Sequence, residues 1–217
     1  NYEIDGIDPT VTSVGISDAS IISGETATVT IVLSETNSGF TNDDVTCASG
    51  SVGTLSVSGN TYTGTFTPTT NTEAGTNTCV VGTSWTDTAG NAPLAGLTSS
   101  AYAVDSLVPT SVVTSISDTS LIEGDTAVIT ITLSEANSGF TNADVTCDNG
   151  AVGALSAAGN VYTGTFTPTA EVEDDSNTCV VGTDWTDTAG NTGTAFTSGN
   201  YEIDGIDPTV TSVGISD

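Results

Sequence analysis

Shifted by 100 residues, this chain lies on itself. IVLSETNSGFTNDDVTC at Ile31 returns as ITLSEANSGFTNADVTC at Ile131, NTYTGTFTPT at Asn60 as NVYTGTFTPT at Asn160, and NTCVVGTSWTDTAGN at Asn77 as NTCVVGTDWTDTAGN at Asn177. Whatever one half folds into, the other half must fold into as well, so the 217 residues divide into two homologous units of ordinary domain size. A second period lies above the first. NYEIDGIDPTVTSVGISD opens the chain at Asn1 and closes it from Asn200, 199 residues later. The larger period predicts an A-B-A-B alternation of two related domains. Residues 1–7 then read as the end of a preceding repeat, 8–105 as domain A, 106–203 as domain B, and 204–217 as the start of the next A. A linker duplicated by itself would leave the same echo.

Each unit reads as all-β. Thr, Val, Ile and Ser dominate, and Gly, Asn and Asp punctuate at intervals of about ten residues. TATVTIVLS alternates, which sends Ala27, Val29, Ile31 and Leu33 to a core, and Ala127, Ile129, Ile131 and Leu133 in the second copy. Tyr62, Gly64 and Phe66 form another inward row, repeated at Tyr162, Gly164 and Phe166, and Ser58-Gly59-Asn60 is a tight-turn signal before it. Seven strands are expected in the first unit: A over Thr10–Ser17, B over Thr26–Leu33, C over Asp44–Ala48, D over Val52–Val57, E over Thr61–Thr67, F over Thr78–Trp85 and G over Leu97–Val104. Seven short strands in about 100 residues predict two tandem immunoglobulin-like Greek-key β-sandwiches, within a longer repeat array. On this reading Asn1–Ile4 is the last strand of a preceding domain and Pro208–Ser216 the first of a following one.

Charge narrows the function. The chain has 27 acids and no Lys, Arg or His, a formal net charge of −27. No side-chain salt bridge can form, so each carboxylate is solvated, hydrogen-bonded or matched by a bound cation. Nucleic acid is excluded as a partner, because its recognition rests on basic residues. Anionic membranes are disfavoured for the same reason, and no apolar run is long enough to insert. Without His there is no Ser-His-Asp or Cys-His arrangement, and without Lys no Schiff base. Paired carboxylates suffice for glycoside hydrolysis, but no distinctive signature marks a pair, and the chain reads as a non-enzyme.

Four cysteines occupy matched places, Cys47 with Cys79 and Cys147 with Cys179, each 32 residues apart. No CxxC and no His accompany them, which argues against zinc. One disulfide per domain, joining strand C to strand F, is the simple reading; buried free thiols are the other. Oxidised pairs imply an extracellular setting.

The acids converge at the domain ends. In such a sandwich the B–C, D–E and F–G loops lie at the end where strand A begins. The F–G loop TDTAGN supplies Asp87 and Asn91, then Asp187 and Asn191. The B–C loop supplies Glu35 and Asn37, then Glu135 and Asn137, while the linkers bring Asp5 and Asp8, Asp105, then Asp204 and Asp207. The opposite end carries Glu73 in one unit and Glu171, Glu173, Asp174 and Asp175 in the other. Crowded carboxylates repel unless a cation sits among them, and Ca²⁺ takes six to eight oxygens of this kind. The expected ligands are Asp5, Asp8, Asp87, Asn91, Asp105, Asp187, Asn191, Asp204 and Asp207. A turn alone, with Asp capping amides and Gly at positive φ, explains TDTAGN equally in type. Where A has DGIDPT, B has DSLVPT, so Val108 replaces an acid and the linker entering B is expected to bind more weakly.

With DxxDPT, LSExNSGF, YTGTFTPT and WTDTAGN in order, the chain resembles the bacterial Ig-like repeats of very large surface adhesins. The resemblance implies a secreted, cell-anchored fibre at the bacterial surface whose repeats form a Ca²⁺-stiffened stalk, with linker and F–G loop aspartates as ligands. The cysteine pair and the lack of Lys and Arg depart from the usual pattern. Three roles follow. One is a stalk whose partners are neighbouring repeats, end to end. The second is a subunit of an extracellular filament or sheath with lateral self-association or strand donation. The third is a module gripping glycans or ice through the outward rows Thr63, Thr65, Thr67 and Thr163, Thr165, Thr167, rows that ordinary β-propensity also explains.

Overall fold

A computed structural model describes residues 4–215. The chain divides into compact units at 1–107 and 108–217. In the first, the elements run β1 (Val11–Ile16), β2 (Ser20–Ile22), β3 (Ala27–Leu33), β4 (Asn37–Ser38), a 3-10 turn (Asn42–Asp44), β5 (Val45–Cys47), β6 (Gly50–Val52), β7 (Ser56–Ser58), β8 (Thr61–Pro68), β9 (Glu73–Asn77), β10 (Cys79–Val81), β11 (Thr86–Asp87), β12 (Leu97–Thr98) and β13 (Tyr102–Asp105). One layer is the sheet β1-β3-β8-β6, with β7 also on β8; the other is built from β12-β10-β5, β2-β13-β9 and β11-β4. β3 and β8 are neighbours although four strands separate them in sequence, the crossing expected of a Greek key. The second unit repeats this order from Ser111–Ile116 to Tyr201–Asp204. Both units are immunoglobulin-like sandwiches, all-β as the alternation predicts, and no α-helix occurs among the described residues.

The inward rows hold. Ala27, Val29, Ile31 and Leu33 are buried, and β8 sets Phe66, Gly64 and Tyr62 opposite Ala27, Val29 and Ile31. Gly64 is required there, since a Cβ would sit 2.6 Å from the Val52 side chain. Trp85, Tyr102, Val81 and Ile21 close the core from the other layer. Each such aliphatic or aromatic residue contributes about 1.5–3 kcal/mol on burial, so one core of this size holds each unit without help from ion pairs. Both disulfides form, Cys47–Cys79 and Cys147–Cys179, leaving no free cysteine. Each links directly opposed residues of neighbouring strands, Cys47 on β5 and Cys79 on β10, within one layer rather than across the sandwich.

Two expected strands are broken, each by a polar side chain that takes over backbone bonds. The D segment is two strands, β6 and β7. Asn42 donates to the carbonyls of Val52 and Gly53 and accepts from the Leu55 amide, so the intervening turn is satisfied without a ladder. The G segment is also two, β12 and β13: the Ser99 hydroxyl accepts from the Cys79 amide and donates to the Ser100 carbonyl, and the chain changes partners there. The F segment is shortened to β10 and preceded by a separate strand, β9, in which the buried Asn77 amide donates to the Ala74 and Tyr102 carbonyls. Strands β2, β4, β9 and β11 were not expected: β2 runs parallel to β13 after a turn in which Asp18 accepts from the Ser20 amide, β9 occupies the expected E–F loop and pairs with β13, and β4 pairs with β11 across the expected B–C and F–G loops.

The expected terminal strands differ too. Residues 208–215 form no strand and are exposed, so the strand expected over Pro208–Ser216 is absent over its described residues. Residues 1–3 and 216–217 lie outside the described part of the chain, and Ile4 is exposed and not in a strand.

Candidate cation site

The short pairing of β4 with β11 sets Asn37 opposite Asp87 and Ser38 opposite Thr86. It thereby ties the loop after β3 to the start of TDTAGN. Asp87 is buried, at 1% exposure, and its Oδ1 accepts from the amides of Ala89, Gly90 and Asn91 at 2.8, 2.6 and 2.8 Å. Gly90 takes φ +102°, a conformation that keeps the loop tight at no Cβ penalty. The turn reading of this motif therefore holds, and the second unit repeats it: Asp187 accepts from Ala189, Gly190 and Asn191 at 2.9, 2.7 and 2.9 Å, with Gly190 at φ +112°.

The turn uses only one oxygen of the carboxylate. Asp87 Oδ2 accepts a single bond, from Asn91 Nδ2 at 2.7 Å. Asn91 also donates to the carbonyls of Asp5 and Ile7 at 3.2 and 3.4 Å, drawing the linker onto the loop. Carboxylate oxygens of Asp5, Glu35 and Asp87 consequently lie within 4.8 Å of one another. Burial raises the Asp87 pKa, but the Asn91 side chain and the amides of Asn91, Gly90 and Ala89 outweigh it and hold the carboxyl below its usual value of 3.8. Three carboxylates thus share a space of a few ångströms in a chain with no Lys, Arg or His to neutralise them. Exposed and half-buried oxygens of this hardness, preset by a rigid loop, suit a divalent cation such as Ca²⁺.

The other expected ligands are placed differently. Asn91 is at the cluster, but its amide nitrogen is committed to three oxygens. Asp8 is exposed and outside the group. Its replacement by Val108 therefore removes nothing from the positions that correspond to the cluster, namely Asp105, Glu135 and Asp187. Asp105 ends β13 opposite Glu73, with its Oδ1 accepting from the Leu107 amide. Asn191 is buried against Asp187 Oδ2 at 2.7 Å. Asp204 ends the last strand of the second unit opposite Glu173, and Asp207 is exposed. Glu35 was expected in the neighbourhood but not in the ligand set. The signal was present, because LSExNSGF keeps its Glu in both copies.

At the opposite end of the second unit two acids, Asp174 and Asp148, are taken up by hydrogen bonds. Asp174 accepts from Asn149 Nδ2 and the Ser176 amide, and Asp148 from the Thr178 amide and hydroxyl. Burial raises the pKa of Tyr201, and the charges of Asp148 and Asp174 raise it further.

A family model described as "Bacterial Ig-like domain" matches residues 5–104 and again 105–203. No curated protein matches the chain in sequence. Among solved structures, the titin domains z1z2 in complex with telethonin are similar at 13% identity and a TM-score of 0.28, over 95% of this chain and 100% of that one. The N-terminal eight Ig domains of Down syndrome cell adhesion molecule are similar at 15% identity and a TM-score of 0.43, over 90% of this chain and 24% of that one.

Proposed function

Since the chain belongs to the bacterial Ig-like domain family, over two consecutive copies, we propose that it is a repeat segment of an extracellular surface fibre or adhesin stalk. Its domains join end to end and are stiffened by Ca²⁺. The observation that carries this reading is the group of three carboxylates, Asp5, Glu35 and Asp87, in a chain without a single cationic side chain. Asp5 belongs to the linker and the other two belong to the body of the domain. An ion held by all three fixes the linker to the loop end, which is what a stalk needs from each of its joints. The sequence repeats the same three residue types 100 positions later, at Asp105, Glu135 and Asp187. The disulfides suit an oxidising exterior, and the domains act as scaffold rather than as catalysts.

Isothermal titration of the metal-free chain with CaCl₂ tests this. Saturable binding of about one ion per domain, abolished at one site by Asp87→Asn, is expected. No heat of binding at millimolar Ca²⁺, or titration unchanged by Asp87→Asn, would remove the ion from the proposal.

A further inference from the structure

The acids of this chain are not spread evenly over its strands. In the first unit the layer formed by β1, β3, β6, β7 and β8 contains none. The same is true of the equivalent layer in the second unit, Ser111–Ile116, Ala127–Leu133, Gly150–Val152, Ser156–Ala158 and Val161–Pro168. Every acid that lies in a strand, such as Glu73, Asp87 and Asp105, belongs to the other layer. In a chain of 27 acids, this leaves one neutral sheet face per domain.

That face is a ladder of hydroxyls and small apolar groups. Thr28 stands opposite Thr65, Thr30 opposite Thr63, and Thr63 opposite Ser56. In the second unit Val128 stands opposite Thr165 and Val161 opposite Ala158, with the two valines 45% and 37% exposed. The aromatic residues of β8, Tyr62 and Phe66, are buried in the core instead, so the face offers no ring on which a sugar could stack.

We propose that this neutral face docks on the same face of a second copy of the chain, side by side. The proposal goes beyond the calcium-stiffened stalk and does not depend on it. Two molecules that each carry −27 can approach closely only where neither presents carboxylates. A hydroxyl both donates and accepts, so a hydroxyl ladder is complementary to itself, whereas a carboxylate face accepts only and is not. Self-complementarity is the requirement of a two-fold contact between identical surfaces. Four strands at about 4.8 Å and seven residues at about 3.3 Å give roughly 440 Å² per domain face. Some 900 Å² over both partners is below the standard size for a stable complex. A single contact is therefore weak and gains strength by repetition along a fibre.

Sedimentation equilibrium of the 217-residue chain, in chelator and about 1 M NaCl to shorten the reach of the net charge, reads the association directly. The weight-average mass should rise toward twice that of one chain with concentration. Thr65→Asp with Thr165→Asp should weaken association at least tenfold. Val80→Asp with Val180→Asp adds the same charge to the opposite layer, where these residues are 42% and 38% exposed, and should leave it within about twofold. Ser56→Asp with Ser156→Asp, at exposed positions of the same face, gives a second disruptive pair should the first fail to fold. A monomer at every concentration overturns the proposal, as does equal loss from the Thr and Val pairs. A monomer retained on a dextran column, and released by the Thr pair, also overturns it by assigning the face to a neutral glycan. Calcium binding is read separately, so its failure and this one are distinguishable.

Discussion

Replacing Glu35 by Gln, together with its counterpart Glu135, should move stability in opposite directions with and without calcium. Without the ion, Glu35 faces two other carboxylates at no more than 4.8 Å. Each pair repels by about 0.9 kcal/mol in a water-like dielectric and about 3.5 kcal/mol at an effective dielectric of 20. Asp5 is exposed and Glu35 half-buried, so the water-like end applies, and removing one charge relieves about 1–2 kcal/mol per site after screening. A domain of this size shifts by about 4–8 °C per kcal/mol, so in chelator the variant should melt roughly 5–10 °C above the parent. In calcium at 100 times its dissociation constant, the parent gains about 2.7 kcal/mol, and the variant, short of one ligand charge, gains much less. The melting temperatures should therefore cross as calcium is added, as followed by circular dichroism in EGTA and in about 10 mM CaCl₂. A variant less stable by the same amount in both buffers would refute the reasoning, because Glu35 would then be a structural side chain with no like-charged neighbours and no ion.

Three other outcomes follow. Replacing Cys47 and Cys79 by Ala opens a cross-link spanning 32 residues; chain entropy alone predicts a loss of about 3.7 kcal/mol, and urea unfolding should give the same loss for Cys147 and Cys179, whose spacing is identical. Gly50→Ala puts a Cβ 2.3 Å from the Phe66 ring, so thermal melting should show a loss of about 1–3 kcal/mol. Because the Asp87 pKa is held below 3.8, its contribution is complete above that value and is lost as pH falls through the lower folded pKa. Urea midpoints in chelator from about pH 5 to about pH 2 should thus decline less steeply in Asp87→Asn than in the parent.

What could be read from the chain follows the physics of each element. β3 and β8 were legible because they are long, alternate strictly and bury one face, so register is written in side-chain polarity. The cysteine pairs and the Asp87 turn were legible from recurrence at the 100-residue shift. The divided D strand was not, because the division depends on the Asn42 side chain reaching backbone groups ten and more residues away. β2 escaped notice because three residues carry no periodicity. Glu35 joined Asp5 and Asp87, and Asp8 did not, for a similar reason. The decisive contact is the two-residue pairing of β4 with β11, which no local pattern announces.

The placement of the disulfide has a mechanical meaning. In the proposed fibre, tension would reach each domain through its linkers, and a bond between Cys47 and Cys79 would take the load past everything between them. If such a domain is torn open, the segment closed by the bond, a sequence separation of 32, stays slack, and roughly 110 Å of chain is withheld from the extension at about 3.5 Å per residue. A reductant would release that reserve, so the same thread would stretch further in a reducing medium than in an oxidising one.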